Sequence, residues 1–226
     1  IQGTSPYRSP TDMGVNMAGF AIVDDAACQA ASRMEILRRY YTGLVDRVKG
    51  KCDECVVRKL EIVMQQAGVT PDICPAVRAS LDKAQATGAP AGAMVLPDGR
   101  VVTGKTSSLL GPSAAMLLNA VKLLAGIDKD LDLLPASIIA PISDMKLRHL
   151  GHHNPRLHSD EVLIALSISA VTNPLAERVL KKLDDLRGSE AHFSVILSEE
   201  DAKLYKRLGI HVSCEPRYEV KKLYHK

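Results

Sequence analysis

The stretch that decides the fold runs Ala91-Gly-Ala-Met-Val-Leu-Pro-Asp-Gly-Arg-Val-Val-Thr103. Its two ends are short runs that favour β-strands, and the Pro-Asp-Gly turn at 97–99 predicts a hairpin between them. Proline presets φ for the turn, aspartate can bond its own backbone, and glycine can adopt the left-handed conformation. The sequence therefore predicts an antiparallel strand pair at 91–96 and 100–103.

A helix is expected directly after this hairpin, over residues 112–124. Pro112 suits the first turn of a helix, and Gly126 suits the position past its end. The segment is apolar nearly all round, which indicates a buried helix. Further helices are predicted at 135–150, 160–171, 174–186 and 199–208.

Two more strands are predicted at 193–197 and 210–214, on either side of the helix at 199–208. A strand–helix–strand crossover of this length predicts a parallel pair. The fold class is therefore α/β, with a mixed sheet and flanking helices over residues 90–226.

The part of the chain before the hairpin is predicted to be helical. Residues 1–23 are rich in Pro and Gly and are expected to form an ordered loop or linker. Residues 24–89 are expected to form a small helical subdomain with helices from Asp24 or Asp25 to about Gly43, at 53–66 and at 71–86.

Composition limits the possible functions of the 226-residue chain. The net charge is only +3 and the charges are interspersed, which argues against a nucleic-acid partner. Apolar runs are too short to span a membrane, and no signal peptide is visible. The five scattered cysteines are typical of reduced thiols, so a cytoplasmic protein is expected.

The predicted element order is similar to that of the cytidine-deaminase-like fold. In those enzymes the buried helix begins with H-x-E and the next helix carries P-C-x-x-C, which together bind zinc. The corresponding segment here reads Pro112-Ser-Ala-Ala-Met-Leu117 and has no histidine, glutamate or cysteine pair after it. We therefore expect a deaminase-like topology without zinc ligands, and neither a metal nor a cofactor.

Residues 99–106 match the phosphate-loop pattern G-x-x-x-x-G-K-[ST]. Val101 and Val102 lie inside the match, however, and belong to the second strand of the predicted hairpin. A strand cannot also wrap a phosphate, so the hairpin interpretation is preferred. A simpler anion site is predicted at Lys105, Thr106, Ser107 and Ser108, because these residues precede a buried helix.

A polar segment between the predicted helices contains His149, His152, His153, Asn154, Arg156, His158, Asp160 and Glu161. Three interpretations remain open: metal ligands, caps of the following helix, or a cluster that faces a substrate. A second polar stretch, Gly188–His192, precedes a predicted strand. It either lines a ligand crevice or forms an ordinary turn.

Several longer motifs resemble one bacterial family. They are Ser9–Met17, Arg38–Tyr41, Leu96–Arg100, Thr103–Gly111, Asn154–His158, Asp160–Ser167, Glu190–His192 and Lys221–Lys226. Together they are similar to the C-terminal half of the family called domain of unknown function 1846. The resemblance implies a chain about half the family length, with a helical insertion, a deaminase-like subdomain and no established activity.

The resemblance also narrows the candidate residues. His152, His153, Ser189 and the pair Cys52/Cys55 depart from the family pattern. The better candidates are His158, His192, Asp160 and Glu161 for acid–base chemistry, and Lys105, Thr106, Ser107, Ser108, Arg156 and Glu190 for ligand binding.

The leading hypothesis is one half of an enzyme that binds an anionic, phosphorylated or nucleotide-like small molecule. Lys105 and Arg156 would hold the anion, and His158 or His192 would transfer protons with Asp160 or Glu161 as the orienting group. The alternative is a non-catalytic accessory or oligomerisation module that serves the N-terminal half of the full-length protein. Homo-oligomer formation is compatible with either hypothesis.

Overall fold

The computed structural model describes residues 24–219, and within that range eight α-helices surround a four-stranded sheet. The helices are α1 (Asp25–Val48), α2 (Glu54–Gln66), α3 (Pro75–Thr87), α4 (Pro112–Leu124), α5 (Ala136–Arg148), α6 (Ser159–Ser169), α7 (Pro174–Leu180) and α8 (Glu199–Arg207). The strands are β1 (Ala91–Val95), β2 (Val101–Lys105), β3 (Glu190–Phe193) and β4 (His211–Cys214). Short 3-10 helices lie at Pro71–Ile73 and Asp184–Leu186.

The sheet has the strand order β2-β1-β3-β4 and is mixed. β1 pairs antiparallel with β2 and with β3, and β3 pairs parallel with β4. The hairpin turn contains Gly99 at φ 83°, a conformation that glycine adopts without steric cost. The predicted hairpin, mixed sheet and parallel crossover pair are therefore confirmed.

Helix α4 packs against one face of the sheet, where Gly104 leaves room for the helix backbone and Gly92 leaves room for the Phe193 ring of β3. A Cβ added at Gly104 would lie 2.2 Å from the backbone nitrogen of Met116, and one at Gly92 would lie 2.4 Å from the Phe193 ring. Gly104, the second glycine of the phosphate-loop pattern at 99–106, is thus a packing residue in β2. The core on this face includes Met116, Leu117 and Phe193, all fully buried.

Helices α1 and α3 cover the opposite face of the sheet. Ala93 packs with Leu37, Tyr41 and Val77 there, whereas its neighbour Met94 belongs to the core on the α4 face. The change of side between consecutive residues follows from the period of two in a β-strand. Because α3 packs directly on the strands, the predicted helical subdomain shares a core with the sheet, and the boundary near residue 90 stays a prediction.

The observed bounds correct four predictions. Helix α1 continues through Gly43, which is buried in its interior where a Cβ would meet a Leu60 methyl at 2.5 Å. The expected helix at 71–86 divides into a 3-10 turn followed by α3. The expected helix at 174–186 divides into α7 followed by a 3-10 turn. The sequence predicts strand β3 at 193–197, but it occupies Glu190–Phe193. The pairing with β1 and with β4 stops at Phe193, opposite Gly92 and Cys214.

The predicted linker at 1–23 lies outside the described residues. All five cysteines have free thiols. Among residues 24–219, no helix is both long and apolar enough to cross a membrane.

Candidate functional site

Three helices begin at the same cleft, which we call the α4–α6–α8 cleft. Its wall is formed by the starts of α4, α6 and α8 together with the chain that leaves β3. The lining residues are Gly111, Pro112, Ser113, Asn154, Arg156, Leu157, His158, Val195, Ile196, Leu197, Ser198, Asp201 and Glu219. Helix starts present unpaired backbone N–H groups and a partial positive charge, so their convergence favours an anion.

A short backbone pairing joins the loops that precede α4 and α6. Leu157 donates its N–H to the Leu109 carbonyl at 2.9 Å, and Gly111 donates to the Leu157 carbonyl at 3.2 Å. The two segments form an isolated parallel bridge at Leu110 and Leu157. This pairing fixes the starts of both helices at one wall of the cleft.

The starts of α6 and α8 are fixed by local capping. Glu161 in the first turn of α6 accepts the His158 backbone N–H through Oε2 at 2.8 Å. At α8, the Ser198 hydroxyl accepts the Asp201 N–H at 3.2 Å. Both contacts are helix caps. A polar residue followed three positions later by an acidic residue predicts caps of this kind.

His158 and Asp201 form an acid–base pair in the cleft. The Nδ1 atom of His158 lies 3.3 Å from Oδ2 of Asp201, and the Ser159 N–H donates to Oδ1 of the same carboxylate at 2.8 Å. The side chains are 20% and 6% exposed, respectively. The Nε2 atom of His158 makes no hydrogen bond within residues 24–219. The pair therefore leaves one ring nitrogen available to a ligand.

The environment shifts both pKa values towards the charged forms. The hydrogen bond that His158 donates to Asp201 raises the pKa of His158, although burial opposes this effect. For Asp201, burial raises the pKa, but hydrogen bonds from His158 and Ser159 outweigh it and lower the pKa to about 2. The arrangement favours an imidazolium beside a carboxylate, which can donate a proton to a bound group.

Arg156 lines the same cleft and is held by Glu219. Its Nη1 atom lies 2.7 Å from Glu219 Oε1, and the two side chains are 30% and 10% exposed. The Asn154 side chain accepts the Arg156 N–H at 3.1 Å and so fixes the turn. With Glu219 in place the free space in the cleft is about 20 Å³, roughly the room needed by one water molecule. An anionic ligand would thus have to replace the Glu219 carboxylate on Arg156.

A buried lysine supports this wall from behind. Lys146 on α5 is 1% exposed, and its ammonium donates to the Arg156 carbonyl and to Glu161 Oε2, each at 2.7 Å. The ammonium group thereby ties α5 to the segment that carries Arg156 and His158. Glu161, a predicted acid–base residue, is occupied by Lys146 and by the α6 cap, while Asp160 is exposed and accepts the Glu161 N–H.

None of the predicted anion ligands at the end of β2 lines the cleft. Lys105 and Ser108 are exposed, and the Ser107 hydroxyl accepts the N–H groups of Leu109 and Leu110 at 3.2 and 3.0 Å. Thr106 Oγ1 is buried without a hydrogen-bond partner among the described residues. Ligand binding by these four residues stays a prediction, and their observed positions shape the loop that leads into α4.

His192 and Glu190 lie on the opposite face of the sheet from His158. Their position within β3 directs both side chains towards α1, where Glu190 pairs with Arg38 and the His192 ring contacts the Tyr41 ring at 4.6 Å. The predicted residues therefore separate into two places. Arg156 and His158 come together at one cleft, with Glu161 behind its wall, and His192 is buried on the other face of the sheet.

Sequence reasoning missed Asp201, Glu219 and Lys146. A usable signal existed for Asp201 alone, since Ser198-Glu-Glu-Asp201 has the spacing of a capping box directly after a strand. Lys146 gives no such signal, because a lysine in an amphipathic helix is ordinarily exposed.

No group of three or more His, Cys, Asp or Glu side chains within residues 24–219 is close enough to hold a metal ion. At the start of α4, where a zinc deaminase places H-x-E, the chain has Pro112 and Ser113. The side chains observed in the cleft include a guanidinium, an imidazole and hydroxyls, which are groups that bind anions, together with the Asp201 and Glu219 carboxylates that pair with the first two.

The fold and the cleft define a mixed α/β protein with a histidine–aspartate pair at converging helix starts. The model of domain of unknown function DUF1846, C-terminal, matches residues 72–224, and that of DUF1846, N-terminal, matches residues 1–68. The chain belongs to the DUF1846 family. The expectation of a purely C-terminal half is corrected, because both domain models match parts of the chain.

Relatives with high identity share the family. The chain is 51% identical to a UPF0371 protein of Streptococcus thermophilus and 53% identical to a UPF0371 protein of Corynebacterium glutamicum, over all 226 residues in each case. These residues cover 46% of each relative. The chain thus spans about half the length of the curated relatives it matches.

Proposed function

We propose that the α4–α6–α8 cleft binds a phosphorylated or nucleotide-like small molecule and that His158 transfers a proton to or from it. The observation that carries this proposal is the His158–Asp201 pair, 3.3 Å apart, in a cleft that Arg156 also lines. Arg156 would bind the phosphate oxygens, and the N–H groups at the helix starts would complete the anion site. Asp201 takes the orienting role expected earlier for Asp160 or Glu161.

The topology of the sheet supports the location. The element order of hairpin, buried helix and strand–helix–strand is compatible with a deaminase-like arrangement, which we propose for this subdomain. Ligands of open α/β sheets bind beyond the carboxyl ends of parallel strands, and the cleft lies where the chain leaves β3. The chemistry would differ from zinc deamination, because Arg156 and His158 replace the metal ligands as the polar groups.

Glu219 restricts the class of ligand that the cleft can bind, because its carboxylate already pairs with Arg156 and a ligand must displace it. A ligand with two negative charges would compete better for the guanidinium than a monoanion. Inorganic phosphate, AMP and glucose 6-phosphate are therefore suitable probes. We expect phosphate-bearing probes to bind and uncharged adenosine and glucose to bind at least tenfold more weakly.

Calorimetric titration of the 226-residue chain with these probes tests the proposal. Arg156→Gln should weaken binding about tenfold or more, in keeping with the loss of a charge-assisted hydrogen bond. Glu219→Gln should strengthen binding several-fold, because the competing carboxylate is gone. Arg178→Gln on the exposed side of α7 is the matched control and should leave binding unchanged. Equal affinities in all four proteins, or no binding by any probe, would refute the proposal.

The alternative function is an accessory or oligomerisation module, and one observation favours it. Helix α6 buries Val162, Ala165 and Leu166, yet its outer side carries Ile164 and Ile168 at 59% and 63% exposure. An apolar helix of this kind is usually covered on both sides. Ligand binding and a covered α6 face are compatible, so each function has its own test.

A further inference from the structure

A second cluster of polar side chains, on the other face of the sheet, consists of Ser213, His192 and Glu215. The Ser213 Oγ atom lies 2.7 Å from His192 Nδ1, and His192 Nε2 lies 3.3 Å from Glu215 Oε1. Along the chain, His192 precedes Ser213 by 21 positions and Glu215 by 23 positions. We propose that they act as a serine–histidine–glutamate triad in which Ser213 is a nucleophile towards acyl esters or thioesters.

Strand register brings the three residues together. β3 and β4 are parallel, and His192 is directly paired with Ser213. Glu215 follows Ser213 by two positions, so the period of two in a strand directs it to the same face, while Cys214 between them packs against the core on the α4 side. The cluster thus follows from the pairing of two strands.

The hydrogen bonds select one tautomer of His192. Glu215 is an acceptor when ionised, so Nε2 carries the proton and donates to it. Nδ1 then has a free lone pair and can accept the Ser213 O–H at 2.7 Å, in competition with the Ala191 carbonyl at 3.4 Å. This is the arrangement in which a base activates a hydroxyl and a carboxylate orients the base, with the ring nitrogens used in the opposite order from trypsin-like enzymes.

The histidine is fixed on its other sides. His192 is fully buried, and the edge of the Tyr41 ring packs against it at a centroid distance of 4.6 Å. Burial of Tyr41 and the nearby Glu215 charge raise the pKa of the Tyr41 phenol, so it stays neutral beside the carboxylate. A rigid, desolvated base of this kind is what nucleophilic catalysis requires.

Ser213 faces a cleft that can accept a substrate. This α1–β4 cleft lies between α1 and the edge strand β4, has a volume of about 610 Å³, and is lined by Tyr41 and Ser213. Its volume is within the range of small-molecule sites. The cations that line it, Arg38, Arg39, Lys49 and Lys206, outnumber the carboxylates, Glu35 and Asp46. This excess of positive charge favours an acyl compound with an anionic group.

The reaction would proceed in two balanced steps. Ser213 Oγ bonds to the acyl carbon while its proton passes to His192 Nδ1, and the leaving alcohol or thiol departs with that proton. Water then attacks the acyl carbon and gives one proton to His192, which passes it to Ser213 Oγ as the bond between that oxygen and the acyl carbon breaks. The products are a carboxylic acid and the restored serine, and Glu215 stabilises the imidazolium in both steps.

A fluorophosphonate probe tests the proposal, because it phosphonylates activated serines with loss of fluoride. Mass spectrometry of the treated 226-residue chain should show one adduct, on Ser213. Ser213→Ala should abolish the adduct. His192→Gln and Glu215→Gln should slow its formation by about a hundredfold and tenfold, since base catalysis contributes 10²–10⁴-fold.

The controls separate activated from ordinary hydroxyls and reactivity from folding. Ser167→Ala, at an exposed hydroxyl on α6, should react like the unchanged chain. Circular dichroism verifies that each variant is folded. Absence of an adduct on Ser213 in the folded, unchanged chain would refute the proposal. An unchanged rate in folded His192→Gln would refute it as well.

Discussion

His158 shows how a single side chain acquires its properties from distant parts of the chain. Its carboxylate partner, Asp201, is 43 positions away on another helix. The neighbouring carboxylates, Asp160 and Glu161, bond to backbone groups and to Lys146 instead. The sequence suggested His158 as an acid–base residue, which stays a prediction, and suggested Asp160 or Glu161 as its partner because they are close along the chain. The structure places Asp201 beside the imidazole instead.

The pH dependence of stability follows from these contacts. The folded-state pKa of His158 is raised above its ordinary value of 6.5. Its contribution to the free energy of unfolding is therefore fully present below 6.5 and disappears as the pH rises through the folded-state pKa. Asp201, with a pKa of about 2, contributes above its ordinary value of 3.8 and loses its contribution only as the pH falls towards 2. Of these two groups, His158 is the one that titrates above pH 5.

We therefore expect His158→Gln to cost about 1–2 kcal/mol at pH 5.5 and distinctly less at pH 9, as measured by urea unfolding. In the folded protein, nuclear magnetic resonance titration should give a His158 pKa above 6.5, and Asp201→Asn should lower it. His153→Gln, at an exposed histidine, serves as control. A cost that is the same at both pH values would contradict the assigned ion pair.

At the scale of elements, the sequence predicted helices, strands and turns correctly where residues close together in the chain determine them. The Pro-Asp-Gly turn, the proline at the start of α4 and the glycines after α2, α3 and α4 each act within a few residues. Strand β3 was placed too late, because Phe193–Leu197 is the more apolar run but the ladder is set by partners on β1 and β4. Tertiary pairing overrides local composition there.

Gly104 illustrates the same limit for motifs. In sequence it completes a phosphate-loop pattern, whereas in the structure it allows α4 to contact β2. We expect Gly104→Ala to destabilise the protein by about 1–3 kcal/mol or more, because the new methyl would overlap the Met116 backbone, which cannot rotate away. Urea or thermal unfolding measures this cost.

Gly111→Ala is the matched control for that prediction. At Gly111 the backbone φ is −68°, and a Cβ would meet its nearest atom at an ordinary 3.7 Å. Its cost should remain below about 1 kcal/mol. Comparable costs at the two positions would show that Gly104 is not a close-packing site.

At the scale of the whole molecule, the sheet separates two polar centres. The α4–α6–α8 cleft lies on one face, and the Ser213 centre lies on the face covered by α1. The sequence grouped His158 and His192 as alternatives for one site, because a one-dimensional pattern does not show which side of a strand a residue faces until its register is known. Their division between two faces could be read only from the paired strands.

The exposed apolar side of α6 is the other property of the whole molecule. If a second copy covers it, Ile164→Asp with Ile168→Asp should convert an associating chain into a monomer, as measured by light scattering coupled to size-exclusion chromatography. The charges oppose burial of that surface. Ile62→Asp, at an exposed isoleucine of α2, should leave the molar mass unchanged. A monomeric unchanged chain would count against the oligomerisation function.

The two-residue pairing between Leu110 and Leu157 links the anchor points of α4 and α6. Because one backbone strip carries both helix starts, neither can shift without displacing the other. A ligand that displaced Arg156 or His158 would therefore also displace Leu157 and, through its hydrogen bond to Gly111, the start of α4. The interior of the protein is in this way mechanically connected to whatever occupies its surface cleft.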